Sequence, residues 1–246
     1  MKTFRIHSHA SAAAAVSCVL TLLLVSPPST AAAVYSQGWD LPGSTAGWQG
    51  NTAASIVDHD ATQGQPAGSL RSTRDPGSPI PTIGANSDQL DALRGNYQGH
   101  VWTVGFDLQL AAGVFTDVWL RYRFQGPGFN GWRYAFDVPL DQPGDWFSLA
   151  VTFDPSWTDV EATANGWQQD TGDVVSFAQT MSDAYRSEVR LELDPVGTFA
   201  VARIDNYFQQ HAVPEPASWA LVVGAMVALG ATRRRAATPR LAGEPA

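Results

Sequence analysis

The chain has 246 residues, 44% of them hydrophobic and 15% charged, with a formal net charge of −8 at pH 7. The charge is uneven: residues 34 to 213 hold nine arginines, no lysine and 21 acidic residues, a net of −12, which argues against a nucleic-acid or anionic-lipid binder. The single cysteine, Cys18, excludes any intrachain disulfide framework.

At the N-terminus, Lys2 and Arg5 precede an apolar stretch from Ala10 to Val25, followed by Ser26-Pro27-Pro28 and the small residues Ala31-Ala32-Ala33. This order of basic, apolar and small residues predicts a secretory signal over 1–33, cut after Ala33, with the Sec translocon and signal peptidase as implied partners. Cys18 lies inside the apolar run rather than at its end, so a lipoprotein signal does not fit.

Residues 34–211 are long enough for one domain. Short alternating runs separated by turn residues fill it. Val101 to Leu110 is apolar at 102, 104, 106, 108 and 110, the period of a half-buried strand. Asp117 to Phe124 repeats the pattern with 118, 120, 122 and 124 inward and Trp119 on the other face, exposed or covered. Strands are also expected over 132–136, 147–153, 187–193 and 200–208, with Pro-Gly and Asn-Gly turns between several of them. From Asp173 to Arg186 the apolar residues Val174, Phe177, Ala178, Met181 and Tyr185 instead take helical spacing, with Thr171 or Asp173 as cap. The predicted fold is therefore mainly β, an antiparallel β-sandwich of jelly-roll type with one short helix.

The C-terminal segment 212–235 holds a Val213-Pro214-Glu215-Pro216 box, an apolar run from Ala217 to Thr232 and the cluster Arg233-Arg234-Arg235, with 236–246 as a short tail. A helix over the apolar run would span roughly 24 Å, somewhat short of a hydrocarbon core of about 30 Å. No polar face marks it as a core helix, so a membrane helix is expected, with Trp219 at one interface and the arginines on the cytoplasmic side. This three-part tail resembles the PEP-CTERM sorting signal of exported bacterial proteins. The resemblance implies an exosortase as partner, transient anchoring, and delivery to the cell surface or extracellular matrix, in the setting of exopolysaccharide, biofilm and floc formation.

Within the body, Tyr35-Ser36-Gln37-Gly38-Trp39-Asp40, Gly47-Trp48-Gln49, Gly144-Asp145-Trp146-Phe147 and Ala202-Arg203-Ile204-Asp205-Asn206-Tyr207-Phe208 are similar to elements of laminin B (laminin IV type A) domains. The Ile-Asp-Asn closing strand is also shared with carbohydrate-binding, galactose-binding-like jelly rolls. That resemblance implies a structural calcium ion (Ca2+) with Asp205 as ligand and Asp40 as its partner.

No catalytic constellation emerges. The histidines of the body, His59, His100 and His211, lack metal-ligand spacing, and Asp58-His59-Asp60 reads as a solvated turn. Trp48, Trp132, Trp157 and Trp167 follow Gly, Asn-Gly or Pro-Ser and are placed at loop margins, where their faces could stack on sugar rings; the competing reading is that they build the core. The functional expectation is a non-catalytic exported protein that binds extracellular polysaccharide and no nucleic acid. The alternatives are a polysaccharide-processing enzyme and a structural matrix protein with a protein partner.

Overall fold

In the computed structural model, residues 34–66, 68–125, 130–170, 172, 174–194 and 199–211 are described. The signal segment 1–33 and the sorting segment 212–235, with Val213, Pro214, Glu215, Pro216 and Arg233 to Arg235, lie outside the described residues.

The described residues form twelve strands: β1 (Tyr35–Gln37), β2 (Gln49–Gly50), β3 (Ser55–Asp60), β4 (Ser69–Arg74), β5 (Thr82–Asn86), β6 (Trp102–Ala112), β7 (Phe115–Phe124), β8 (Gly131–Ala135), β9 (Trp146–Phe153), β10 (Trp167–Gln169), β11 (Ala184–Leu193) and β12 (Val201–His211). The helices are α1 (Asp159–Ala164) and α2 (Phe177–Ser182). The first sheet runs β3-β4-β12-β6-β9 with β1 also on β12; the second runs β10-β8-β7-β11-β5-β2. Every pairing is antiparallel. This is the expected antiparallel sandwich.

The alternation read from sequence generates the core. Trp102, Val104, Phe106, Leu108 and Leu110 of β6 face Val118, Leu120 and Tyr122 of β7 and Val189 and Leu191 of β11 across the interior. Successive strand residues point to opposite faces, so one period-two pattern commits each strand's apolar set to the same side. In β12 the pattern slips: Ala202 and Ile204 point inward, then the register shifts between Asp205 and Phe208, and Tyr207 and Gln209 become the inward residues. Asn206, at φ +48°, carries the bulge. Consequently β4 pairs with β12 only over Val201 to Ile204, and β1 takes over at Tyr207. The segment around Gln65 fills the gap between them, its amide donating to Asp205 Oδ2 at 2.6 Å.

Three expectations are corrected. The helix predicted over 173–186 is one short turn pair, α2. Its cap is Ser176, whose Oγ accepts from the Gln179 amide at 3.2 Å, and helical spacing buries only Phe177, Thr180 and Met181. From Ala184 onward the backbone finds ladder partners instead: Ala184 and Gly95 exchange bonds of 3.0 and 2.7 Å, and β11 begins. A second helix, α1, carries a capping box in which Thr158 and Glu161 satisfy each other's backbone amides. Asp58-His59-Asp60 is the end of strand β3, not a turn: Arg71 grips Asp58 at 2.6 Å, Arg203 grips Asp60 at 2.9 Å, and His59 Nε2 donates to the Trp39 carbonyl at 2.8 Å.

The third correction concerns the loop tryptophans. Trp48, Trp132 and Trp167 are buried. Trp48 packs edge-on to Trp39 and Tyr207 with its Nε1 donating to the Tyr35 hydroxyl; Trp132 donates to the Val175 carbonyl at 2.9 Å; Trp167 sits among Tyr122, Tyr134, Phe153 and Phe177. Trp157 is half-buried against Phe177. The Gly-Trp dipeptides mark loop margins, but Gly47 and Gly166 take φ values of +84° and +89° and turn the chain so that the following indole points inward. Without disulfides, the ends of the sandwich are closed by these rings.

Candidate functional site

The outer face of the second sheet carries charge where an outer face would ordinarily meet water. On β7 the residues of opposite parity to the core set are Trp119, Arg121 and Arg123; on β11 they are Arg186, Glu188, Arg190 and Glu192. Arg133 projects from the same face of β8, opposite Arg121. Despite facing away from the core, Arg121 is only 5% exposed and Glu188 only 1%. The turn after β2, with Asn51 and Thr52, walls one side, and Asp170 at the end of β10 walls the other. Asn51 is itself held, donating to the Ile83 carbonyl at 3.2 Å and accepting from Ser55 Oγ at 2.6 Å. Between the walls lies a cavity of about 340 Å³.

Its floor is an ion-pair lattice. Arg121 pairs with Asp170 and, at 3.2 Å, with Glu188. Glu188 also holds Arg186 at 2.6 Å and lies 3.8 Å from Arg123. Arg186 reaches Asp88 at 3.0 Å, and Arg190 reaches Glu192 at 3.4 Å. Arg133 forms no ion pair among the described residues; its guanidinium lies over the Trp119 ring, 4.0 Å from the centroid. Burial, then the nearby Arg121 charge, holds the Arg123 guanidinium below its ordinary pKa despite Glu188. The buried Nε atoms of Arg121, Arg133 and Arg190 and the buried Trp119 indole N–H have no hydrogen-bond partner among the described residues. Buried donors without acceptors are costly unless something else satisfies them. The ion pairs hold the guanidinium groups that line the cleft in fixed positions.

A second polar cluster lies on the outer face of the first sheet, at the β12 bulge. Asp205 is fully buried; its Oδ2 accepts the Gln65 amide and its Oδ1 the Asn206 amide at 2.7 Å. Asn206 Nδ2 donates to Asp107 Oδ2 at 2.8 Å and to the Gln65 carbonyl at 2.7 Å. Burial, with Asp107 and Asp40 nearby, pushes the Asp205 carboxyl up to about 6. Asp40 and Asn206 converge over Gly38, where an added Cβ would stand 3.2 and 3.6 Å from their side-chain oxygens. The two carboxylates anticipated as metal ligands, Asp40 and Asp205, are thus neighbours. Among the described residues no set of three or more acidic, His or Cys side chains forms a metal cage. A cation here would have to draw on amide and backbone oxygens as well, which only a hard ion accepts.

The sequence matches no protein-family profile and no curated protein. Some solved structures superpose on it in part. The CBM22-1 xylan-binding domain of Paenibacillus barcinonensis Xyn10C superposes with a TM-score of 0.46 at 16% identity, covering 75% of this chain and 97% of that one. An exo-β-agarase gives 0.49 at 12% identity over 74% of this chain and 25% of that one. The cellulose induced protein Cip1 gives 0.43 at 11% over 72% and 96%. Likenesses at this level say nothing of a ligand, which has to be argued from the cleft itself.

Of the residues singled out from sequence, Asp40 and Asp205 come together, while Trp48, Trp132 and Trp167 are withdrawn into the core. The cleft residues were passed over, although their signal was present: Trp119-x-Arg121-x-Arg123 and Arg186-x-Glu188-x-Arg190-x-Glu192 place charge on the outer face of two strands.

Proposed function

We propose that this chain is an exported, non-catalytic protein whose β-sandwich binds polysaccharide through the cleft on its second sheet. The observation that carries this reading is the walled, ion-paired lattice around Arg121 and Glu188, with Arg133 lining the cleft and forming no ion pair among the described residues. The strands beneath are paired on both sides, so a peptide cannot be captured there by strand addition, and the charged lining offers no apolar trough for an amphipathic helix. A ligand dense in hydroxyls fits, because each sugar oxygen can accept from a guanidinium or donate to a carboxylate already fixed in place. The acids speak against hydrolysis: Asp170, Glu188 and Glu192 are each engaged by arginine, which leaves no carboxyl poised as proton donor beside a second free one.

Two further parts of the reading rest on less. Sorting by an exosortase after Sec export and signal-peptidase cleavage, with display at the cell surface or in a biofilm matrix, rests on the two terminal segments of the sequence. The laminin B resemblance remains one of sequence, and the binding reading does not depend on it. A structural calcium at Asp40 and Asp205 is supported by the buried, cation-poor carboxylate of Asp205.

Affinity electrophoresis of the exported protein through gels containing polysaccharide from its own host tests the binding reading. Retardation that is lost in Arg133→Ala, with unchanged circular dichroism, is expected. Mobility indifferent to every polysaccharide would contradict it.

A further inference from the structure

The cleft contains an arrangement that stability alone does not explain. Arg121 stands directly opposite Arg133 across β7 and β8, and Arg123 directly opposite Arg186 across β7 and β11. Like charges facing each other across a strand pair are destabilising. Here two such pairs lie side by side on buried or partly buried surface. Five arginines gather in this face, more than half of the nine in residues 34 to 213, although the segment as a whole is strongly acidic. The carboxylates that answer them are fewer by one: Asp170 pairs with Arg121, Asp88 with Arg186 and Glu192 with Arg190, Glu188 is shared among Arg121, Arg123 and Arg186, and Arg133 has no ion pair among the described residues. At the opposite end of the cleft Glu192 faces Asp117 across the strands, so the positive excess lies at the Arg123 and Arg186 end and at mid-cleft, where Arg133 lies over Trp119.

From this geometry we infer that the cleft takes an acidic polysaccharide, with a carboxylate or sulfate group of the chain seated among Arg121, Arg123, Arg133 and Arg186. The inference rests on the glycan-binding reading and narrows it. An anion there would supply counter-charge between the two arginine pairs, above all to Arg133, which lines the cleft without an ion pair among the described residues. Guanidinium groups suit this task because their planar fork grips a carboxylate or sulfate with two parallel bonds. The depressed basicity of Arg123 is consistent with the same deficit of negative charge. The acidic remainder of the surface acts as a filter. A duplex nucleic acid would extend far beyond the cleft and meet repulsion, whereas a slender sugar chain presents its charges one residue at a time.

The test is calorimetric titration of the exported protein with alginate and polygalacturonate, each beside its carboxyl-reduced form, and with dextran sulfate beside dextran and duplex DNA. Binding of an acidic polymer with loss of at least about tenfold in affinity for its neutral counterpart is expected. Arg133→Gln should weaken that binding about tenfold as well. Arg94→Gln, which removes the same charge outside the cleft, should leave it within about twofold. Equal affinity for charged and neutral forms would overturn the acidic specificity and leave glycan binding standing. Failure to bind any of the glycans would remove both. Equally tight DNA binding, or equal losses in the two variants, would reduce the effect to general charge and overturn the inference. Whether the carboxylated or the sulfated polymer binds identifies the group in the cleft.

Discussion

At the scale of single residues, two aspartates of similar sequence context are driven in opposite directions. Asp60 is buried, which alone would push its carboxyl up, but hydrogen bonds from Arg203 and Thr62 outweigh burial and bring it down to about 2. A folded-state value below the unfolded one of about 3.9 means that the carboxylate stabilises the fold fully above that pH and loses its contribution as pH falls toward 2. Acid titration of the melting temperature should show this loss, and Asp60→Asn should flatten it between roughly pH 4 and pH 2. Asp205 has no cationic partner among the described residues, and burial pushes it up to about 6. If calcium binds there, saturating calcium stabilises the protein by about 2 to 3 kcal/mol relative to chelator, and Asp205→Asn removes the difference; a thermal shift indifferent to calcium would exclude that ion. Asp205 was legible from the Ile-Asp-Asn sequence. The opposed fates of the two carboxyls were not, because Arg203 and Gln65 reach them from distant parts of the chain.

At the scale of elements, the long strands were the most readable. The inward sets of β6 and β7 were each specified by strict alternation, because one face of each strand must be apolar and the other is released to carry charge. Alternation failed as a guide in two places where local pattern and tertiary pairing compete. Helical spacing over 173–186 extends past the point where Ala184 meets Gly95, and the ladder wins over the helix. In β12 the bulge at Asn206 exchanges the two faces, which no periodicity reports. Short α1 depends on its cap: Thr158→Ala should cost about 1 kcal/mol in denaturant unfolding. Trp167→Ala, by contrast, empties the space between Tyr122, Phe153 and Phe177 and should cost about 3 to 5 kcal/mol. A cost below about 1 kcal/mol would mean that Trp167 is not the core residue described here.

At the scale of the molecule, the division of labour between the two sheet faces organises the account. Tryptophan, the residue most readily associated with sugar stacking, is spent largely inside, at Trp39, Trp48, Trp102, Trp132 and Trp167; Trp146 and Trp157 are half-buried, and among the described residues only Trp119 stands on the cleft face, 6% exposed beneath Arg133. The inward rings close a sandwich that has no disulfide, and on the proposed reading recognition passes to arginines and carboxylates whose positions are fixed by one another. This was hidden in the sequence because each charged residue taken singly looks like an ordinary solvated strand position. Only the antiparallel register places Arg121 beside Arg133 and Arg123 beside Arg186. The terminal segments belong to the same scale: if the proposed sorting holds, intact mass shows the native chain without its tail, and replacing Pro214-Glu215-Pro216 by alanines leaves an intact C-terminus in the membrane fraction.

The cleft's role is tested most directly by following the indole N–H resonances of the protein as polysaccharide is added. Trp119 reports on the cleft through Arg133, whereas Trp102, Trp132 and Trp167 lie in the core. The account predicts that the Trp119 signal moves saturably while those three stay fixed, and that Arg133→Ala abolishes the movement. A saturable shift confined to Trp157, or binding that leaves Trp119 unmoved, would place the ligand elsewhere and contradict the account.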